Sequence, residues 1–265
     1  MSASQQCPTR YVGHVMGMPI SLAMRGRHAA DAPGRAAWTE AMAVLRTADH
    51  VFSTYRDDSV VRRLGRGELT LAECPPEVTE VLDLGAAAER DSAGAFSVYR
   101  TGRNRRAECD PSGVVKGWAA ERAAEPLRAL TGTDFCLSAG GDLACRTLDP
   151  DDPPWRIGIE DPRDPRRLVA VVPVRTGAVA TSGSAHRGQH VVDARTGRAP
   201  TGIASVTVVA ASLTVADIDA TAAYAQGGDA AAWLQTRPGR TGLVVWSDGA
   251  TTSVRGAATV LPAVR

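Results

Sequence analysis

Two segments of this sequence carry residue types whose spacing could do metal or phosphate chemistry. In Ala216-Asp-Ile-Asp-Ala-Thr-Ala222, Asp217 and Thr221 stand four positions apart. On a helix that spacing puts both side chains on one face. Two oxygens so placed can co-ligate a hard cation such as Mg²⁺, which needs few protein ligands beside substrate phosphate oxygens. A structural role fits the same spacing, with Asp217 helping to cap the helix and Thr221 bonding back to a carbonyl. Asp219 falls about 200° around the helix from Asp217 and should face elsewhere.

The second segment is Asp110-Pro-Ser-Gly-Val-Val-Lys116-Gly-Trp118. A Ser-Gly turn opening a helix presents free backbone N–H groups and a positive dipole end, a ready site for an anion. Lys116 is the only lysine among 30 basic residues; the rest are Arg. A cation early in a helix is disfavoured by the dipole, so an anionic ligand nearby would account for it. The alternative is an ordinary capped surface helix. A third run, Thr181-Ser-Gly through His190-Val-Val-Asp193-Ala-Arg195-Thr-Gly197, joins a small-residue turn to a strand-like stretch that begins at a histidine. It also reads as a hairpin with polar ends, in which Arg195 either touches phosphate or braces the turn. Ser138-Ala-Gly-Gly-Asp142 and Phe52-Ser-Thr-Tyr55-Arg-Asp-Asp-Ser59 are weaker signals, a Gly-Gly break between strands and a helix exit.

Other chemistries are excluded by pattern. The chain contains no GxxxxGK[ST], no GxGxxG after a strand, no GxSxG and no HExxH. Its five cysteines form no CxxC, which suits a reduced, metal-free set. His186 and His190 lie four apart but in a Gly-containing loop, a poor setting for a metal pair. With 30 Lys+Arg against 29 Asp+Glu and a net charge of +1, no basic excess points to nucleic acid or to a polybasic membrane anchor. No apolar run is long enough to span a membrane. No signal peptide or lipobox around Cys7 is visible, so a cytoplasmic location is the expectation.

The elements that must position these residues follow from periodicity. Met18–Met24 alternates as a strand. Residues 36–51 read as a helix with Trp38, Met42, Leu45 and Ala48 on one face. Pro75-Pro76 opens a second helix with Val78, Leu82 and Ala86 as its stripe and Gly94 past its end. Residues 113–130 read as a third helix and 215–225 as a fourth. Strands are expected at 135–139, 155–159, 169–175, 189–193, 205–211 and 242–246. The interleaving lacks a βαβ rhythm. The expectation is an α+β fold of mixed or antiparallel strands and helices, a single domain over residues 1–265 with room for two lobes.

Taken in order, the segments resemble the ApbE family, the FAD:protein FMN transferases. The signature runs through Met16-Gly17, Ser53-Thr54-Tyr55 with Asp58-Ser59, Gly94-Ala95-Phe96 and Asp110-x-Ser-Gly-x-x-Lys116-Gly. It continues with Gly140-Gly141-Asp142, Trp155-x-Ile-Gly-Ile with Asp161-Pro162, Thr181-Ser-Gly, His190-Val-Val-Asp-x-Arg-Thr-Gly, and Ala-Asp217-x-x-Ala-Thr221-Ala. The resemblance implies FAD contacts at Met16, Tyr55, Ala95, Phe96, Ser97, Asp110, Lys116 and Val192. It implies Mg²⁺ at Asp217, Thr221 and the Gly113 carbonyl, and a role in transfer for His190. Tyr55 could stack on the flavin ring or cover the end of the 36–51 helix. Departures from the family pattern include Ser97 and Ser184-Ala185, both of which could alter flavin contacts. The activity so implied is Mg²⁺-dependent transfer of the FMN moiety of FAD to a Ser or Thr hydroxyl of an acceptor flavoprotein, through a phosphoester bond and with release of AMP. Lys116 would lend positive charge to that step. The same residues would also serve an FAD pyrophosphatase, with water as acceptor, or a flavin-binding protein without turnover. AMP release without an acceptor, or FAD retained intact, distinguishes these two from the transferase.

Overall fold

A computed structural model describes residues 7–101, 107–185, 188 and 191–257. The chain begins with β1 (Thr9–Val15) and β2 (Met18–Gly26), followed by helices α1 (Ala32–Phe52), α2 (Val60–Gly65) and α3 (Pro76–Asp91). Strands β3 (Tyr99–Thr101) and β4 (Ala107–Cys109) lead to α4 (Ser112–Ala123) and α5 (Glu125–Arg128). Then come β5 (Thr133–Ala139), β6 (Asp142–Arg146), β7 (Trp155–Asp161), β8 (Asp164–Val174), β9 (Gly177–Gly183) and β10 (Ile203–Ala210). Helices α6 (Leu213–Ala225) and α7 (Ala230–Gln235) and strands β11 (Thr241–Trp246) and β12 (Thr251–Arg255) close the described chain. The fold is α+β, as expected. No described helix is long and apolar enough to cross a membrane.

Eight strands form one sheet in the order β1-β2-β5-β6-β9-β10-β11-β12, every neighbour antiparallel. Alternation along these strands separates two cores. Ala178, Ala180, Leu137, Ala144 and Val208 face the helices. Cys145 and Val179, from the same strands, face the β7–β8 hairpin, where Ile157, Ile159 and Val174 cover them. The sheet is thus sandwiched between a helical layer and a two-stranded flap.

Helix α1 starts where Asp31 Oδ1 accepts the Gly34 N–H at 3.1 Å, satisfying one of the orphan donors of a helix start. It buries Ala37, Ala41, Leu45, Ala48 and Phe52, spaced three and four apart as one face requires. The expected stripe of α3 is shifted: Val78, Val81, Gly85 and Ala88 are buried, while Ala86 is exposed. The helix expected over 113–130 is two helices, α4 and α5. Pro126 has no N–H for the carbonyl of Arg122, and the helical ladder breaks there. The strand expected over 189–193 does not form in its described part. Val191 and Val192 lie outside any strand, and Asp193 makes an isolated bridge to Arg198. The Asp193 carbonyl accepts the N–H groups of Thr196 at 3.1 Å and Gly197 at 2.7 Å, so the chain turns instead of extending.

Candidate active site

Helix α6 is buried almost all round, between α4 and the sheet. Ser212, not Asp217, caps it, its hydroxyl accepting the Val215 N–H at 3.4 Å. Both aspartates of α6 are therefore carried into the interior, each 1% exposed, and each needs a partner. Asp219 finds Arg240 Nε at 2.7 Å and Arg237 Nη2 at 3.2 Å, on the side away from Asp217, as the helical geometry demands. Asp217 finds α4.

Two glycines let α4 approach α6. A Cβ on Gly117 would lie 2.6 Å from Asp217 Cβ and 2.7 Å from the Leu213 carbonyl oxygen. A Cβ on Gly113 would lie 2.9 Å from the Phe96 ring and 3.7 Å from Thr221 Cγ2. Across this contact the Gly117 N–H donates to Asp217 Oδ2 at 2.8 Å. The Lys116 ammonium sits 3.0 Å from Asp217 Oδ1 and pairs also with Asp142 Oδ2. The lone lysine is thus accounted for by two carboxylates of the protein itself, neither the anionic ligand nor the plain surface helix that the sequence offers as alternatives. Burial pulls the Lys116 ammonium down, but the charges of Asp217 and Asp142 outweigh it and hold the group above its ordinary value. Burial pushes the Asp217 carboxyl above the usual carboxylate range, with Lys116 opposing and Asp142 reinforcing the shift.

These groups line a cavity of about 420 Å³ at the end of the sheet. Gly113 and Lys116 come from α4, Asp217 and Thr221 from α6, and Asp142 from the start of β6. Ser182 of β9 meets Thr221, hydroxyl to hydroxyl, at 3.0 Å. Ile157, Gly158, Ile159 and Glu160 of β7 complete the wall from the hairpin side. Phe96, Ser97, Asp110 and Val192 line it too. Ser97 is engaged by its own neighbours, donating to Glu89 Oε2 and accepting from the Tyr99 N–H, both at 3.1 Å. Asp110 lies 3.3 Å from Arg100 Nη1 and takes the Ser112 N–H at 3.3 Å, so one donor of the expected anion turn is already used.

Met16, Tyr55 and Ala95 do not line the cavity. Tyr55 is 97% exposed, so its ring neither lies in the cavity nor covers the end of α1. Ala95 is buried behind it and accepts the Ala194 N–H at 3.0 Å. Met16 occupies the β1–β2 turn with φ 56°. Arg195 braces its turn, holding Asp193 at 2.8 and 2.9 Å. His190 lies outside the described residues. The roles of Asp142, Ser182 and β7 were not assigned from sequence, although Gly140-Gly141-Asp142, Thr181-Ser-Gly and Trp155-x-Ile-Gly-Ile all stood out as motifs.

The donor set suits a hard cation. Asp217 Oδ1 is buried and has no backbone donor, only the Lys116 ammonium, beside it, and the Thr221 hydroxyl stands one turn further along the same wall. Among the described residues no three His, Cys, Asp or Glu side chains gather as a metal cluster. One carboxylate supplemented by neutral oxygens is a set that Mg²⁺ accepts and Zn²⁺ does not favour.

The family model described as ApbE matches residues 100–244, more than half of the chain. The chain belongs to the ApbE family. The FAD:protein FMN transferase of Vibrio cholerae is 32% identical over 128 residues, 44% of this chain and 38% of that protein. That of Escherichia coli K12 is 31% identical over 150 residues, 53% of this chain and 43% of that protein. The matched stretch therefore spans about two fifths of these relatives' length, 38% and 43%. Among solved structures, the ApbE protein of Thermotoga maritima superposes with TM-score 0.80 at 20% identity, covering 93% of this chain and 97% of that one. The flavinyl transferase ApbE of Pseudomonas stutzeri gives 0.79 at 23% identity, covering 96% and 97%. At these identities the structures establish that the ApbE fold runs well beyond the matched segment.

Proposed function

We propose that this protein transfers the FMN moiety of FAD to a Ser or Thr hydroxyl of an acceptor flavoprotein through a phosphoester bond, with Mg²⁺ required and AMP released. One observation carries the reading. Helices α4 and α6 bring Gly113, Lys116, Asp217 and Thr221 together on a cavity wall, in a chain whose family includes relatives named for that transfer.

Breaking a pyrophosphate asks for in-line alignment and fixed positive charge more than for covalent help. Lys116, anchored on Asp142, supplies a fixed ammonium at the cavity. We assign Phe96, Ser97, Asp110 and Val192 to contact with the flavin nucleotide. Asp217, Thr221 and the Gly113 carbonyl would hold Mg²⁺, which when bound neutralises charge on phosphate oxygens. The Gly117 N–H on Asp217 Oδ2 ties α4 to α6 and keeps these groups aligned, where small displacements are expensive in rate. As the acceptor oxygen bonds to phosphorus, its proton must leave; we assign that proton to His190, since an imidazole titrates near neutral pH. We place the reaction in the cytoplasm, since five cysteines without a CxxC suit a reduced set.

Chromatography of FAD incubated with Mg²⁺, the protein and an FMN-binding acceptor domain tests the reading. AMP should appear only when the acceptor is present. AMP and free FMN appearing equally without it would replace transfer by hydrolysis. FAD left intact would mean binding without turnover.

A further inference from the structure

We propose that Lys116 is a built-in competitor for the divalent cation at Asp217, and that metal entry requires the ammonium to let go of Asp217 Oδ1 while staying on Asp142. The inference rests on the proposed function only for the location of the metal. Each carboxylate has one oxygen already committed. Asp217 Oδ2 takes the Gly117 N–H at 2.8 Å, and Asp142 Oδ1 takes the Thr181 N–H at 2.9 Å. The remaining oxygens, Asp217 Oδ1 and Asp142 Oδ2, are buried and face the Lys116 ammonium. Among the described residues Lys116 is the cation paired with either one. A metal ion using Asp217 Oδ1 would meet the ammonium at close range, where two positive charges repel strongly in a water-poor site. The second carboxylate resolves the conflict, because it offers the ammonium a place to remain when Asp217 is taken. Lys116 is 21% exposed and lines the cavity, so its stem has room to retract from Asp217. Once retracted, the ammonium stands beside the metal and faces the same cavity.

The sequence itself supplies the probe, since Lys116 is its only lysine. Protein labelled with ¹³C-lysine, without FAD, should show one Cε signal from the folded chain that shifts saturably with MgCl₂. The shift should vanish in Asp217→Asn. In parallel, Mn²⁺ binding is measured by electron paramagnetic resonance. Lys116→Gln and Lys116→Met should each bind Mn²⁺ tighter than the parent by roughly tenfold or more, as removal of a nearby like charge implies. A Cε signal that ignores MgCl₂ while Asp217-dependent Mn²⁺ binding persists would overturn the proposal. So would equal or weaker binding by the neutral variants, or no binding by any form. The labelled parent protein keeps the test valid if a variant fails to fold. If the signal shifts but no FMN reaches any acceptor, the competition stands and the transferase reading falls.

Discussion

Replacing Gly117 by Ala probes the contact on which the site depends. The added methyl would lie 2.6 Å from Asp217 Cβ and 2.7 Å from the Leu213 carbonyl oxygen, against a comfortable separation of about 3.5–4.0 Å. Helix α6 must then move off α4 by roughly 1 Å. Overpacking of this kind costs about 1–3 kcal/mol. Stretching the 2.8 Å bond from Gly117 N–H to Asp217 forfeits part of a charge-assisted hydrogen bond, about 1.5–3 kcal/mol if wholly lost. Helix propensity opposes both by about 1 kcal/mol, because Ala is the better helix former. The net is a loss of about 2–4 kcal/mol, which lowers Tm by roughly 5–15 °C in a chain of this size. Gly65→Ala is the control, since a methyl there meets nothing within 4 Å; it should be neutral or slightly stabilising. Differential scanning calorimetry of both variants reads the result. A Gly117→Ala protein melting at or above the parent would refute the close approach of α4 and α6.

Asp219→Asn removes the buried partner of Arg237 and Arg240 and should cost about 2–4 kcal/mol, moderated because both guanidiniums keep some solvent; Mn²⁺ affinity should be unchanged, and a parallel loss of Mn²⁺ binding would show that the two aspartates of α6 share one site. Thr221→Val keeps shape but removes the hydroxyl that meets Ser182 at 3.0 Å; the fold should survive while Mn²⁺ binds roughly tenfold more weakly, and unaltered binding would remove Thr221 from the metal site. The Cys109 thiol is pushed up to about 11 by burial, with Asp110 adding to the shift. A raised value means that the folded protein holds the thiol proton, so alkylation of Cys109 should climb as pH nears 11, not near the ordinary 9. The stability tied to that neutral thiol is present below pH 9 and is lost as pH rises through 11. Mapping of alkylated peptides against pH checks this, and half-reaction near pH 9 would contradict it.

Periodicity made α1 and the strands β2, β5, β7, β8, β10 and β11 legible, because each shows one apolar face or an unbroken apolar run. Strand β9 escaped: Gly177–Gly183 is made mostly of small residues, and its first four are buried on both faces, so no alternation marks it. Strand β1 escaped for the opposite reason, as an edge strand with Val12 exposed and His14 in its pattern. The stripe of α3 was misjudged because Gly85, which carries no hydropathy signal, is where Val98 packs. At the site, the four-residue spacing of Asp217 and Thr221 and the Gly113–Lys116 turn were both readable locally. The partners of Lys116 were not, since Asp142 and Asp217 reach it only through the folding of the start of β6 and α6 onto α4. Nothing in the sequence places Tyr55 in solvent, because a residue just past a helix end can point either way.

Weighing the acceptor decides whether FMN is transferred to it. An FMN-binding acceptor domain is incubated with FAD, Mg²⁺ and the protein, and its intact mass is measured. The acceptor should gain one FMN, and the gain should be abolished by EDTA and by Asp217→Asn. An acceptor whose mass is unchanged while FAD is consumed, or a gain that survives in Asp217→Asn at the parent rate, would contradict this.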